Sequence, residues 1–147
     1  MEITTYDFNV ENQKVAELWL SMSDLEACLY FEGNRLMVID KFQYVQKYEN
    51  SAFKDNLENC LVYLDDHHCR GVDLQLPVHY KGLCTISHDL CKDKFVQSCM
   101  RMRLLGSTHL LSFIASPKAH ILIEQQSDYI NNPVMAIIQF VLQNTEI

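Results

Sequence analysis

The sequence predicts an α/β fold in which a parallel sheet is flanked by helices. Three short apolar runs, at Cys60–Leu64, Leu83–Ile86 and His109–Ala115, are typical of strands buried on both faces. A helical segment at 91–104 separates the last two runs, which makes a strand–helix–strand unit with a right-handed crossover. We therefore expect the three strands to lie side by side and parallel, with the helix against one face of the sheet.

Residues 1–58 are expected to form a helix and a hairpin that lead into this core. The helix should cover 11–22 with Asn9 or Asp7 as its cap. Its apolar side chains recur at helical spacing and predict one buried stripe, formed by Val15, Leu18, Trp19 and Met22. The apolar runs Ala27–Glu32 and Arg35–Ile39 are separated by Gly33-Asn34, which predicts a tight hairpin.

Two weaker patterns follow the hairpin before the core begins at residue 59. Alternating side chains predict a further strand at Phe42–Tyr48, and Ser51 can cap a helical turn through Leu57. The core strand–helix–strand unit is then assigned to 59–116.

The C-terminal part, 117–147, is expected to be helical. Ser116-Pro117 and Asn132-Pro133 each place a capping residue before a proline, which is typical of the first turn of a helix. The second of these helices, Val134–Gln143, is strongly apolar, so we expect it to pack against further protein. The sequence 1–147 is therefore predicted to be a single, incomplete α/β domain within a longer chain.

Composition excludes several classes of protein. The net charge of −7 argues against a nucleic-acid partner, because binding to phosphates needs clustered Lys and Arg. No apolar run approaches the roughly 18 residues of a membrane span, and no signal peptide is visible. We expect a cytoplasmic or nuclear protein with no membrane partner, in which the six cysteines are reduced thiols.

Two groups of polar residues are the candidate site. Arg70-Gly71-Val72-Asp73 follows a buried strand, where α/β proteins bind ligands, although an ordinary turn with a surface ion pair would also fit. Gln97 and Arg101 lie four residues apart on one predicted helical face, and Arg103 is expected to project elsewhere. The alternative for the second group is a helix with exposed basic residues.

Four further patterns that could indicate a catalytic, metal or nucleotide site give no prediction of one. Asp65-Asp66-His67-His68 has the residue types of a helicase acid box but lies too close to Arg70, so it is interpreted as a loop. Cys84-x-x-x-His88-x-x-Cys91 lacks paired zinc-binding cysteines, and we predict no metal site. No local signature selects a Cys–His pair for thiol catalysis. The phosphate-binding Gly-x-x-x-x-Gly-Lys-Ser/Thr loop does not occur in the sequence, so no cofactor is predicted for this chain alone.

The order of these motifs resembles the second RecA-like domain of superfamily 2 helicases and of the SecA translocase. In those proteins an Arg-Gly-x-Asp loop and a later Gln-x-x-Gly-Arg-x-Gly-Arg helix face the nucleotide. The resemblance implies nucleotide-facing roles for Arg70, Gly71, Asp73, Gln97, Arg101 and Arg103. It also implies ATP and Mg²⁺ as ligands of the full-length parent. Met100 and Met102 stand where the helicase motif has glycines.

Nearly the whole chain also resembles a segment of very large eukaryotic proteins identified as ubiquitinyl hydrolases of the ovarian-tumour-related thioesterase group. The resemblance is carried by Val62–Pro77 and by Gln97–Gly106, which reads Gln-Ser-Cys-Met-Arg-Met-Arg-Leu-Leu-Gly. It implies a fragment of a thiol-dependent deubiquitinase with a helicase-like module, whose partners are ubiquitin conjugates and the remainder of the parent chain. The catalytic nucleophile stays unassigned. The alternatives are a nucleotide-dependent half-domain of a motor or switch, as in helicases or SecA, and a non-catalytic interaction scaffold. We expect residues 1–147 alone to lack ATPase and ubiquitin-cleaving activity and to self-associate.

Overall fold

A hairpin and two pairs of parallel strands organise the fold, which the computed structural model describes for residues 11–65, 73–129 and 131–145. In chain order the elements are α1 Asn12–Ser21, β1 Ala27–Glu32, β2 Arg35–Asp40, β3 Val45–Lys47, β4 Cys60–Val62, β5 Lys81–Ile86, α2 Lys92–Cys99, β6 Leu110–Ala115, α3 Pro117–Gln126 and α4 Pro133–Thr145. The α/β class is therefore as predicted, but the strands form a mixed four-stranded sheet and a separate parallel pair.

The four-stranded sheet has the order β3-β2-β1-β4. β1 and β2 form the predicted antiparallel hairpin, in which Glu32 pairs with Arg35 across a two-residue loop. Gly33 has a φ of 57°, a left-handed conformation that costs glycine little and other residues more. β1 is the central strand, and Ala27 to Phe31 are all buried.

β4 does not lie beside β5 and β6, so the predicted three-stranded parallel sheet is wrong at this point. β4 pairs in parallel with β1, and β5 pairs in parallel with β6. The two sheets are linked instead by Tyr80, whose hydroxyl donates a hydrogen bond to the carbonyl of Cys60 at 2.7 Å. A buried aromatic side chain thus connects β4 to the start of β5, where the prediction placed strand pairing.

α1 covers one face of the four-stranded sheet with a side that only partly coincides with the predicted stripe, of which Val15 and Trp19 pack there half-buried. Ala16 and Leu20 are the buried residues, and they pack with Cys28, Tyr30 and other residues of β1, β2 and β4. Leu18 and Met22, which the stripe placed in the core, are exposed. A helix that lies flat on a sheet brings its backbone close, so the small Ala16 occupies the centre and larger side chains flank it. The predicted caps Asn9 and Asp7 lie outside the described residues.

The segment between the hairpin and β4 contains less regular structure than predicted. β3 covers only Val45–Lys47 of the predicted strand Phe42–Tyr48 and is followed by one 3₁₀ turn at Tyr48–Asn50. Ser51 begins a series of turns, not a helix, because the bonds there are of the i+3 type, such as Lys54 N–H to Ser51 C=O. Leu57 closes the segment by entering the core beneath β1 and β4.

The β5–β6 pair has one covered face and one open face. Cys84 and Ile86 lie opposite Phe113 and Ala115 in the register, and these four residues pack with α3 and α4. Gly82, opposite Leu111, lies against the Met102 side chain. On the other face, β6 exposes Leu110, Ser112 and Ile114. The expectation that β6 is buried on both faces is therefore wrong, whereas it holds for β4, all of whose residues are buried.

α2 ends at Cys99, five residues before the predicted end of the helix, and it is not buried on several sides. Val96 and Met100 are exposed, and Ser98 is its buried residue. After Cys99 the chain tightens into i+3 turns, with Met102 N–H bonded to Cys99 C=O. This change of direction turns Met102 into the core beneath β1 and β4, where it is almost fully buried.

α4 packs within the described chain rather than leaving its apolar face open. Ala136, Ile137, Phe140 and Val141 are buried against the β5–β6 pair and α3. Asn144 near its end donates hydrogen bonds to the carbonyls of His88 and Leu90, both at 3.2 Å. The expectation that this helix packs against protein outside the domain is therefore wrong for its buried face. Other apolar residues of the helix, such as Val134 and Leu142, are exposed.

Candidate functional site

The loop that leaves β4 is held at both of its described ends. Before it, Asp65 accepts a hydrogen bond from the Asn12 side-chain amide at 2.6 Å, which ties the loop to the start of α1. After it, Leu74 and Leu76 pack against the core beneath β1 and β4. Arg70 and Gly71, together with the His67-His68 pair, lie outside the described residues. The described residues on either side of the loop, at the carboxyl end of β4, are therefore fixed by these contacts.

Arg101 and Arg103 both lie at this end of β4. They line one small cavity together with Val62, Leu64, Leu74, Leu76 and Tyr80. The prediction that Arg103 projects elsewhere is wrong, because it extrapolated helical geometry past the end of α2. The turns after Cys99 bring alternate residues to the same side while Met102, between them, enters the core.

Asp73 and Arg103 form an ion pair, with Nη2 of Arg103 at 2.9 Å from Oδ1 of Asp73. The two side chains are 66% and 78% exposed, so water screens the pair and its contribution to stability is about 0–1 kcal/mol. The structure thus joins two residues that the sequence assigned to separate motifs. It also fits the alternative interpretation of Asp73 as part of a turn with a surface ion pair.

Gln97 lies on α2 itself and is half-buried. Among the described residues, the lining of the cavity includes both arginines but does not include Gln97. The predicted shared face of Gln97 and Arg101 is lost, since α2 ends between them at Cys99. The described site is therefore built from Asp73, Arg101 and Arg103.

The cavity between the arginines and the core is small. Its volume of about 10 Å³ holds roughly one water molecule, so a nucleotide cannot enter it. The wall beneath the arginines is apolar, which leaves the two guanidinium groups as its charged part. Such a surface can contact an anion presented from outside, because guanidinium groups bind carboxylate and phosphate oxygens in a bidentate way.

The described thiols provide little for nucleophilic chemistry. Burial raises the pKa of Cys28 and of Cys60 to about 12, so both are neutral at physiological pH. Cys84 is buried in the core of the β5–β6 half, and Cys91 and Cys99 are half-buried at the two ends of α2. Cys69 lies outside the described residues. Because the thiolate is the nucleophile, Cys28 and Cys60 act as core residues.

His109 has a structural role that the sequence did not single out. It is buried, and its Nδ1 accepts a hydrogen bond from the Leu104 N–H at 3.2 Å. Its Nε2 lies 2.8 Å from the carbonyl of Pro77, so Nε2 carries the proton and donates it. The ring therefore joins the segment after α2 to the segment before β5, and it fixes the backbone that carries Arg101 and Arg103. A single histidine in an apolar run gives no sequence signal for such a bridge.

The comparisons with known proteins leave the site without a relative. No family model matches the chain, and neither a curated protein nor a solved structure is significantly similar to it. In the described part of the chain, no group of three or more His, Cys, Asp or Glu side chains is arranged to hold a metal ion. No helix formed by residues 11–65, 73–129 and 131–145 has the length and apolar character needed to cross a bilayer.

Proposed function

We propose that the chain is the second, RecA-like half of a helicase-like module in a larger protein, and that Arg101 and Arg103 contact phosphate groups of a nucleotide bound mainly by the other half. One observation carries the proposal: both arginines lie at the carboxyl end of β4, beside the ends of the loop that contains Arg70 and Gly71. Ligands of open α/β sheets bind outside the carboxyl ends of parallel strands.

The ion pair between Asp73 and Arg103 supports a role that depends on nucleotide. Because the pair is exposed and weak, a phosphate oxygen can replace the Asp73 carboxylate at small cost. Asp73 would orient Arg103 while the site is empty and release it when a phosphate arrives. Arg101 would contribute the second positive charge, as arginines do when they stabilise the transition state of phosphoryl transfer.

Turnover of ATP would need groups that this sequence does not contain. The phosphate-cradling loop does not occur in residues 1–147, so the remainder of the parent would supply the phosphate-binding backbone and the Mg²⁺ ligands. The 147-residue chain should therefore bind a polyphosphate weakly and hydrolyse none. This makes it a nucleotide-responding half-domain, and its action on a substrate would depend on the parent.

The proposal is tested by titrating the ¹⁵N-labelled chain with inorganic triphosphate and with Mg·ATP at low salt. The Nε–Hε resonances of Arg101 and Arg103 should shift, while that of Arg35 in the hairpin serves as the control. Asp73→Asn should tighten triphosphate binding because it removes the competing carboxylate, and Arg101→Ala should weaken it. Equal shifts at all three arginines would indicate screening alone, and no shifts would contradict the proposal.

A second proposal concerns the parent and is supported by the resemblance at Gln97–Gly106. We propose that the full-length protein is a thiol-dependent ubiquitin hydrolase, and that its nucleophile is neither Cys28 nor Cys60, whose thiols are buried and neutral. A ubiquitin probe with a C-terminal vinyl electrophile should label the parent at one cysteine and leave the 147-residue chain unlabelled. Failure to label the parent would refute the idea.

A further inference from the structure

Among the residues that the structure describes, no strand pairs with the outer edge of β6. Leu110 N–H bonds to the carbonyl of Tyr80 and Ser116 N–H to that of Ile86, so the residues at even positions direct their N–H and C=O groups towards β5. Leu111, Phe113 and Ala115 must then direct theirs away from β5, because these groups alternate along a strand. In the described part of the chain, no hydrogen bond outside the β5 pairing involves these three residues.

This edge has none of the features by which proteins protect exposed strands. From Leu110 to Ala115 the strand carries no charged residue and no proline, and it is six residues long. β3, one of the edge strands of the four-stranded sheet, has only three residues and includes Lys47. Since long, uncharged edges favour pairing with another strand, β6 is suited to a partner and β3 is not.

An apolar groove opens beside the same edge. It has a volume of about 570 Å³ and lies between β6, α3 and α4. Phe113 and Ala115 from β6, Ile123 from α3, and Ala136 and Ile137 from α4 supply its apolar wall. His120 and Glu124, 3.4 Å apart, lie at its polar side. A strand paired with β6 would place its own apolar side chains against this groove.

We propose that the occupant of the β6 edge is β6 of a second copy of this chain, paired antiparallel about a two-fold axis at Phe113. In that register Phe113 faces Phe113 of the second copy and Leu111 faces its Ala115. Every outward N–H of the three residues then meets a C=O of the other strand. The pairing is self-complementary, as a two-fold interface requires, and it joins two uncharged surfaces.

Side chains on both faces favour the same register. On the groove side, Leu111 of one copy would lie opposite Ala115 of the other, a small residue beside the open groove. On the open side, Ser112 would lie opposite Ile114 of the other copy, which brings the exposed Ile114 side chains close together. Ile114 is 53% exposed and Leu110 is 60% exposed in the single chain, so apolar area is available to bury there.

The main test compares two substitutions to lysine by analytical ultracentrifugation over a range of concentrations. Ile114→Lys places a charge on the β6 edge and should weaken dimerisation by about tenfold or more. Leu18→Lys makes the same change on α1, at a residue that is 64% exposed, and should leave the dimer unchanged. Thermal unfolding of both variants checks that the fold is retained.

Amide hydrogen exchange on the unmodified chain tests the register without relying on any variant. The amides of Leu111, Phe113 and Ala115 should become protected as concentration rises, while the amide of Lys47 on the β3 edge should not. A protein that stays monomeric at every concentration would overturn the proposal. So would a dimer in which these three amides exchange freely, because the open face rather than the strand edge would then form the contact.

Discussion

The fold has two halves, the four-stranded sheet with α1 and the β5–β6 pair with its helices, and they bury their strands differently. In the four-stranded sheet, β1 lies between β2 and β4, and both β1 and β4 have helix α1 on one face and a packed core on the other. In the β5–β6 pair, helices cover one face, while the other face and one edge of β6 are open. The first half is thus a closed core, whereas the second half has a core on one face of its strands and an open surface on the other. The difference indicates that stability is concentrated in the first half and interaction in the second.

The connection between the halves passes through few side chains. Met102 joins the core beneath β1 and β4, although it belongs to the segment between α2 and β6. Leu111 packs against both cores, and Tyr80 reaches from the start of β5 to the carbonyl of Cys60. The candidate arginines lie beside this connection, so a change in how the halves pack would move them directly.

The largest expected effect is on the free energy of unfolding, compared between two variants that each truncate one side chain in one of the halves. Leu29→Ala in β1 removes a fully buried side chain and should lower the free energy of unfolding by about 3 kcal/mol. Ile114→Ala in β6 removes a half-exposed side chain and should cost less than about 1 kcal/mol. Urea unfolding measured at low protein concentration, where any dimer is dissociated, gives both values. Equal losses would contradict the division into a closed core and a surface.

The second effect is a loss of stability at alkaline pH that originates in the closed half. Burial raises the pKa of Cys28 and of Cys60 from 9.0 to about 12, so the folded state retains protons that the unfolded state releases. Stability should therefore be constant below about pH 8 and fall between about pH 9 and 12, with a loss near 2 kcal/mol per thiol by about pH 10.5. Urea unfolding at pH 7 and at the alkaline pH measures this difference.

Matched alanine variants assign that pH dependence to particular thiols. Cys28→Ala should reduce the alkaline loss whatever it does to stability at pH 7, because it removes one of the three groups whose pKa burial raises to about 12, namely Cys28, Cys60 and Tyr30. Cys91→Ala, which removes a half-buried thiol at the start of α2 and outside the closed half, is the matched control. If Cys28→Ala left the alkaline loss unchanged, the Cys28 thiol would not be one of its sources.

A third effect tests the connection between the halves. Tyr80→Phe removes the hydroxyl that donates to Cys60 at 2.7 Å and leaves a buried carbonyl without that partner. The expected loss is about 1–2 kcal/mol. Tyr44→Phe, at an exposed residue, is the control and should change stability little. A Tyr80→Phe variant as stable as the unmodified chain would show that the two halves are joined by apolar packing alone.

Features that depend on a few neighbouring residues, such as a hairpin turn or a helix cap, were predicted correctly from the sequence. Gly33-Asn34 between two apolar runs defines a hairpin, because a two-residue loop leaves little choice of register. Ser116 caps α3 as expected, with its hydroxyl accepting from the Ala119 N–H. The parallel partners of β4 were not predictable in the same way. A short apolar run fits any buried position in a sheet, and parallel pairing depends on distant segments.

The candidate site was only partly accessible from sequence for a related reason. Periodicity assumes that a helix continues, and it gave no indication that α2 stops at Cys99 so that Met102 can be buried. That local change brought Arg103 to the same wall as Arg101 and next to Asp73. The bridge through His109 was missed as well, since both partners are backbone groups and one of them, the carbonyl of Pro77, is distant in sequence.

The smallest expected effect on stability is at the Asp73–Arg103 pair, where a substitution should change ligand binding but hardly change the free energy of unfolding. Asp73→Asn keeps the shape of the side chain and removes its charge, and because the pair is exposed, the free energy of unfolding should change by about 0.5 kcal/mol or less. Binding of inorganic triphosphate should nevertheless become tighter, since Arg103 no longer has a competing carboxylate. Isothermal titration and urea unfolding on the same samples compare the two quantities. A variant that lost stability substantially without any change in triphosphate binding would assign Asp73 to the closed half, as a structural residue of the loop after β4.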